Sequence, residues 1–288
     1  MTDGSQTVAQ AIRAATEVLG ARTDTARLDA ELLMAHCLGV SRSDLFLRRM
    51  QDAAPPGFAD LVTRRAAQEP VAHILGHAEF WGLDLEVSDA VLVPRADSET
   101  LIDAARAAFG SRAPERILDL GTGSGCLLLA ALYEWPQAEG LGIDRSNAAL
   151  AVATRNARRL ALQAEMLRAD WTLAGWATGL GRFDLILANP PYVEDTAELD
   201  PTVRNFEPSS ALFAGPEGLD DYRVLIPQLP ALLNPGGIAL VEIGHTQADA
   251  VGAIARAAGF AVALHRDLGD RPRALELKIS LGKGAAKA

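Results

Sequence analysis

Four residues with chemical potential stand together: Asn189-Pro190-Pro191-Tyr192. An apolar run, Leu185-Ile186-Leu187-Ala188, leads straight into them. Such a run has the pattern of a strand covered on both faces. Asn189 precedes a proline, which biases its backbone to an extended conformation. Pro190 and Pro191 fix two successive φ angles and remove two N–H donors, so the strand ends there. The product is a stiff turn at the carboxyl end of a strand, presenting one amide and one ring. Open α/β sheets hold their ligands at such ends.

A second group lies upstream. Arg116-Ile117-Leu118-Asp119-Leu120 reads as a strand, Gly121-Thr122-Gly123-Ser124-Gly125 as a glycine-rich turn, and Cys126 to Tyr133 as a helix. The glycines let the backbone turn tightly and let a ligand approach the main chain. Alone, the turn fits a dinucleotide, a nucleoside or a plain strand–helix connection. Two acids sharpen it. Asp144, 19 residues after Gly125, ends the next strand, where a carboxylate binds ribose hydroxyls or caps the following helix. Asp119 lies in the strand before the turn, placed to face a cationic ligand. A nicotinamide enzyme fits the glycines and Asp144 but leaves the Asn189–Tyr192 turn without a role.

The elements that must position these residues follow from periodicity. Residues 6–68 read as a small helical bundle. Val8, Ile12, Ala15 and Leu19 mark a first helix ending near Gly20, and Ala26 to Cys37 a second ending near Gly39. Ser41 is placed to cap a third, and Pro55-Pro56 to open a fourth through Arg64. Phe80–Val87, a turn at Ser88-Asp89-Ala90, and Val91–Val93 suggest a β-hairpin, with Asp97 or Ser98 capping a helix to about Phe109. From Arg116 onward strands and helices alternate, with strands at 141–144, 166–171, 183–188, 237–243, 260–266 and 273–280. A helix is expected over 221–233. Alternation of this kind implies an α/β fold with a mostly parallel sheet and helices on both faces. The last strand is expected at an antiparallel edge. The expected organisation is a helical part over 1–70, a hairpin linker over 71–95 and an α/β domain over 96–288.

Composition narrows the classes. The 288-residue chain carries a formal net charge of −10. Residues 1–70 are near neutral, with nine acidic and eight basic residues; the rest holds 28 acidic and 19 basic. The broad basic footprint of a duplex DNA binder is missing. No apolar run reaches membrane-spanning length, and the opening Met1-Thr2-Asp3-Gly4-Ser5 has no leader pattern, so a cytoplasmic protein is expected. Cys37 and Cys126 make neither a disulfide framework nor a metal-ligand spacing. His73 and His77 are four apart without a completing carboxylate, and no metal site is expected.

The combination of Gly-x-Gly-x-Gly turn, strand-end Asp144, Asp170-Trp171 and Asn189-Pro190-Pro191-Tyr192 resembles class I S-adenosylmethionine-dependent methyltransferases acting on a planar nitrogen. Glu69–Gly76, Glu79-Phe80-Trp81-Gly82, Val93-Pro94-Arg95, Phe206-Glu207-Pro208, Gly218-Leu219, Tyr222-Arg223, Pro235-Gly236-Gly237 and Glu242-Ile243-Gly244 further resemble the PrmC/HemK family. The resemblance runs from Glu69 nearly to the end and more loosely over the helical part. Pro94-Arg95-Ala96-Asp97-Ser98-Glu99 departs from the family's Pro-Arg-Pro-Glu-Thr-Glu at Ala96, Asp97 and Ser98, keeping most of its chemical character.

The resemblance implies a Rossmann-like, seven-stranded methyltransferase sheet, joined by a β-hairpin to a small helical domain. It implies methylation of the glutamine amide in the Gly-Gly-Gln motif of class-1 peptide chain release factors; a monomer is expected, and the acidic balance argues against a stable nucleic-acid partner. It assigns S-adenosylmethionine to Asp119, Gly121, Thr122, Gly123, Ser124, Gly125, Asp144, Asp170, Trp171 and Asn189. It assigns the substrate to Asn189, Pro190, Pro191, Tyr192 and Glu207, with Asn189, Pro190 and Tyr192 catalytic. Trp171 is otherwise a plain core aromatic, and Glu207 part of a surface connection. Competing readings are glutamine methylation of a ribosomal protein, methylation of an adenine amino group on nucleic acid, because the same turn can stack a flipped base, and a cofactor-binding interaction protein without turnover.

Overall fold

The computed structural model describes residues 6–280; the amino terminus, in which no leader was read, and the Gly/Ala/Lys tail lie outside the described residues. The chain divides into two compact units. One holds residues up to 77 together with 199–206, the other residues 78–198 and 207 onward.

The helical unit contains α1 (Val8–Leu19), α2 (Ala26–Leu38), α3 (Arg42–Asp44) running into a π turn (Leu45–Arg49), α4 (Phe58–Ala66) and α5 (Val71–Leu75). Val8, Ala11, Ile12, Ala15 and Leu19 form the buried face of α1. Thr7 and Gln10 close a capping box at its start. Gly39 stops α2 in the left-handed region at φ 62°, where a side chain would be strained. Ser41 Oγ accepts from the Asp44 N–H, as its position suggested. Two acids are buried here, each bound by arginine. Arg65 Nε donates to Asp29 Oδ2 at 2.7 Å, and Glu31 accepts from Arg27 Nε at 2.9 Å and Arg42 Nε at 2.8 Å.

The second unit opens with the hairpin, β1 (His77–Phe80) and β2 (Leu83–Glu86). Its turn is at Trp81-Gly82, both with positive φ, rather than at 88–90, and Val91–Val93 forms no strand. The apolar alternation over 80–87 hid a two-residue turn inside what reads as one strand. Phe80, Leu83 and Leu85 are buried in the same core as α6 (Glu99–Phe109), so the hairpin is part of this unit's packing. Neither Asp97 nor Ser98 caps α6 through its side chain.

There follow β3 (Arg116–Leu120), α7 (Cys126–Glu134), β4 (Glu139–Asp144), α8 (Asn147–Arg159), β5 (Ala164–Arg168) and β6 (Phe183–Ala188). Then come α9 (Pro201–Phe206, in the helical unit), α10 (Asp220–Leu225), α11 (Leu229–Leu232), β7 (Leu233–Glu242), α12 (Ala248–Ala257), β8 (Phe260–Arg266) and β9 (Pro272–Ile279). The helix expected over 221–233 is broken where Pro227 and Pro230 each lack an N–H for an α-helical ladder.

The seven strands are ordered β5-β4-β3-β6-β7-β9-β8. The first five are parallel, and β9 lies antiparallel between β7 and β8. The last strand is therefore interior and β8 is the edge. Its run Arg273 to Leu277 is buried, the signature of a strand paired on both sides. Alternation splits the core into two layers. Ile117, Leu185, Leu187, Ile238 and Leu240 face α6 and α7; Leu118, Leu120, Ile186, Ala188, Ala239 and Val241 face α10 to α12.

Candidate active site

The pairing register builds the site. Ile143 of β4 stands opposite Leu120 of β3, Leu120 opposite Ala188 of β6, and Ala188 opposite Val241 of β7. One residue further on, Asp144, Gly121, Asn189 and Glu242 form a single row at the carboxyl ends of the strands. The chain winds from β3 out to β5 and returns to β6 on the other side of β3, so the row crosses a topological switch point. A cleft with about 950 Å³ of open volume lies there, lined by Asp119, Gly121 to Ser124, Asp144, Asp170, Trp171, Asn189 and Pro191.

On one side of the cleft the glycine turn is tied to β4. The Gly121 and Thr122 N–H groups both donate to the Ile143 carbonyl, and Gly123 N–H donates to Asp144 Oδ2 at 3.0 Å. Gly121 has φ +76°, and a Cβ there would come within 3.1 Å of the Trp171 ring, so only glycine allows this approach. Asp144 Oδ1 accepts from the Ser146 N–H at 2.8 Å. Both oxygens thus hold one backbone donor, which fixes the carboxylate while each keeps a further lone pair. Asp144 ties down the turn before α8, whose cap is Ser146, and lines the cleft.

Asp119 is 1% exposed. Its Oδ2 accepts from Thr122 Oγ1 at 2.6 Å, and its Oδ1 has no partner. Burial pushes its carboxyl up to about 7, against the opposing Thr122 bond. Its unpartnered oxygen is thus a free acceptor on the wall of the cleft. Asp170 has a local task, with Oδ1 accepting from the Thr172 N–H and hydroxyl. Trp171 lies over Gly121 and donates from Nε1 to Asp221 at 2.9 Å, which orients its face along the cleft wall.

On the other side, Asn189 Nδ2 donates to Ser98 Oγ at 3.4 Å. Tyr192 donates its hydroxyl to Glu242 Oε1 at 3.2 Å. Burial, followed by the neighbouring Glu242, holds the Tyr192 phenol above its ordinary range, so the ring keeps its proton. The turn is clamped from behind: Gln247 Nε2 donates to the carbonyls of both Tyr192 and Gly218. A Cβ at Gly218 would meet the Tyr192 carbonyl oxygen at 2.2 Å.

Glu207 lies behind the cleft wall. It is 6% exposed and bound by Arg95, and it does not line the cleft; Arg95 and Pro208 do. The pair anchors the segment after the turn to the residues that follow the hairpin. Sequence reading also missed several cleft residues: Val91, Leu92, Pro94, Ser98, Cys126 and Arg145. Cys126 is half-buried, and desolvation pushes its thiol up to about 12. Glu242 was visible as an acid ending a strand of a parallel sheet, the same signal that singled out Asp144. Among the described residues, no His/Cys/Asp/Glu cluster suits a metal ion, and no helix is long and apolar enough to cross a membrane.

Comparison with known proteins places this geometry. Residues 10–76 match the model described as PrmC N-terminal domain, and residues 97–214 match that of the methyltransferase small domain. A release factor glutamine methyltransferase of Caulobacter vibrioides is 44% identical over 82% of this chain and 83% of its own length. One from Cereibacter sphaeroides is 41% identical over 94% of this chain and 98% of its own length. A methyltransferase from Pyrococcus furiosus shares the fold, with a TM-score of 0.51 at 18% identity over 76% of this chain and 98% of that one.

Proposed function

The chain belongs to the family of release factor glutamine methyltransferases, and on that premise we propose that it transfers a methyl group from S-adenosylmethionine to the glutamine side-chain amide in the Gly-Gly-Gln motif of class-1 peptide chain release factors. The observation that carries the reading is the row Asp144, Gly121, Asn189, Glu242. It sets a cation-seeking, ribose-suited wall directly beside a fixed amide.

The residues fit the cofactor. Asp119, with one unpartnered buried oxygen, suits its positive charge; Asp144 suits the ribose; Gly121 and Trp171 leave a flat slot for the base. S-adenosylmethionine supplies a methyl group on a positively charged sulfur, open to in-line displacement. The rest falls to this chain. A glutamine amide nitrogen is a weak nucleophile, because its lone pair is delocalised into the carbonyl. The Asn189 Oδ1 atom and the Pro190 carbonyl accept its two N–H groups and aim the nitrogen. Tyr192 lies against the flat face of the amide. Orientation of this sort contributes several kcal/mol to lowering the barrier. An N-alkylated, N-protonated amide is strongly acidic, so no histidine is required as a base.

We place the reaction in the cytoplasm, with the chain as a monomer. The acidic balance of the α/β part argues against a stable nucleic-acid partner. The helical unit serves to dock the release factor. Its exposed Leu47, beside Arg48 and Arg49, is a contact of the right character. The test is methyl transfer from radiolabelled S-adenosylmethionine to purified release factor, ribosomal proteins and DNA in parallel. Label is expected on the release factor and absent when its motif glutamine is alanine. Label on DNA alone overturns the reading, and label on a ribosomal protein alone moves the substrate while keeping the glutamine chemistry.

A further inference from the structure

Asn189 can serve as an acceptor for an amide N–H only if its own oxygen faces the cleft. The two ends of a carboxamide have nearly the same shape, so packing does not select between them. A flipped Asn189 would present N–H to N–H. Something in the structure must choose.

The neighbours of Asn189 make the choice chemically. Strand alternation puts Asn189 and Glu242 on the face of Leu187 and Leu240, which is the face covered by α6. Ser98 stands at the start of α6, 2% exposed. Its oxygen accepts from Asn189 Nδ2. A hydroxyl has one proton, so an accepting Ser98 sends its own proton elsewhere. Beside it is the Glu242 carboxyl, whose charged form the Ser98 hydroxyl favours. Glu242 Oε1 already takes the Tyr192 hydroxyl, and the buried Oε2 has no hydrogen-bond partner. An ionised carboxylate only accepts. It therefore draws in the protons of Ser98 and Tyr192 alike, leaving the Ser98 oxygen to hold the Asn189 amino end.

We propose that Glu242 and Ser98 are positioning residues that orient the Asn189 amide, with its oxygen toward the substrate, while the same carboxylate seats Tyr192. The proposal rests on the reading of Asn189 as the acceptor of a substrate N–H. It predicts sensitivity to protonation. A protonated Glu242 offers a donor to Ser98, which can then donate to Asn189 Oδ1 and turn the amide round. Burial pushes Glu242 up to about 7. The groups around it are the Ser98 hydroxyl and Arg273 of β9, which favour its charge, and Asp97, which opposes it. Tyr192 follows β6, Cys126 begins α7, and Tyr222 of α10 donates to the Glu242 backbone carbonyl at 2.8 Å.

The experiment measures kcat, KM for release factor and the cofactor Kd by calorimetry, across pH 5.5 to 9, for the parent, Ser98→Ala, Ser98→Thr and Glu242→Gln. The parent is expected to show an acid limb in kcat near pH 7. Glu242→Gln keeps the shape but carries its own N–H donor. It should lose roughly 100-fold in kcat, as displacement of a positioned group does, and lose the acid limb. Ser98→Ala should lose roughly 10-fold or more, and Ser98→Thr, which keeps the hydroxyl, should regain most of it. Cofactor Kd should stay within about two-fold throughout. Equal losses in kcat and cofactor binding, failure of Ser98→Thr to recover, or an unaltered acid limb in Glu242→Gln would each overturn the proposal. If the parent itself leaves release factor unlabelled, the substrate reading fails instead, and the same ratios are read on whichever substrate it does label.

Discussion

The two units differ in how completely they pair their buried acids. In the helical unit, Asp29 and Glu31 are 5% and 1% exposed, and both are held by arginines. Burial alone would raise Glu31, but the bonds from Arg27 and Arg42 together bring it below its ordinary value. In the α/β unit, Asp119, Glu207 and Glu242 are equally buried, yet each keeps one oxygen without a partner. All three are pushed up, first by burial. A buried acid that has its cation already is part of the scaffold. Glu207 has Arg95 and belongs with these, whereas Asp119, with no cation beside it, marks a place where something else must bind.

Substitutions on either side sharpen that contrast. The largest effect is expected at Asn189→Ala, which should lower methyl transfer roughly 1,000-fold while leaving cofactor affinity and Tm nearly unchanged. Calorimetry and thermal melts alongside turnover check it, and near-normal methylation would sink the mechanism. Arg65→Leu leaves Asp29 buried without its cation, and should destabilise the helical unit by about 3 kcal/mol, read by urea unfolding. Asp119→Asn should act in the opposite direction. The Asp119 carboxyl lies at about 7 when folded, against an ordinary 3.8. Its contribution to stability is therefore complete below about pH 4 and is lost as pH rises through about 7. Without cofactor, Asp119→Asn should be more stable than the parent at pH 8, by on the order of 2 kcal/mol, with no difference near pH 4. It should also bind S-adenosylmethionine roughly 10-fold more weakly. A melt at the two pH values decides, and a less stable variant at pH 8 would contradict the assignment of Asp119 as an unsatisfied acid. The smallest effect is expected at Leu47→Asp, a several-fold rise in KM for release factor with kcat and cofactor Kd kept.

Local signals were read well where one segment carries the information. The glycine turn, the proline stop after Ala188, the αL glycine at position 39 and the Ser41 cap all arise from neighbours a few residues apart. Reading failed where two segments decide together. The hairpin turn was misplaced because Trp81-Gly82 interrupts an apolar alternation that continues on both sides. The ion pair of Glu207 with Arg95, over a hundred residues earlier, was likewise out of reach of any local signal. The final strand was expected at an edge: Glu276 and Lys278 alternate with Leu275 and Leu277 as on a half-exposed strand, whereas pairing with both β7 and β8 buries Glu276 as well.

The sequence by itself determined the chemistry on offer: a stiff Asn189–Tyr192 turn, a glycine loop, and acids at strand ends. Backbone sterics and strand periodicity act over a few residues, so they can be read from the letters. Only the tertiary structure decided which of these groups meet. Hydrogen-bond register set Asn189 beside Glu242, 53 residues later in the chain, and brought Ser98 over both. Strand pairing is a long-range choice made by the whole core. The partner that orients the central amide is therefore invisible until the sheet is assembled.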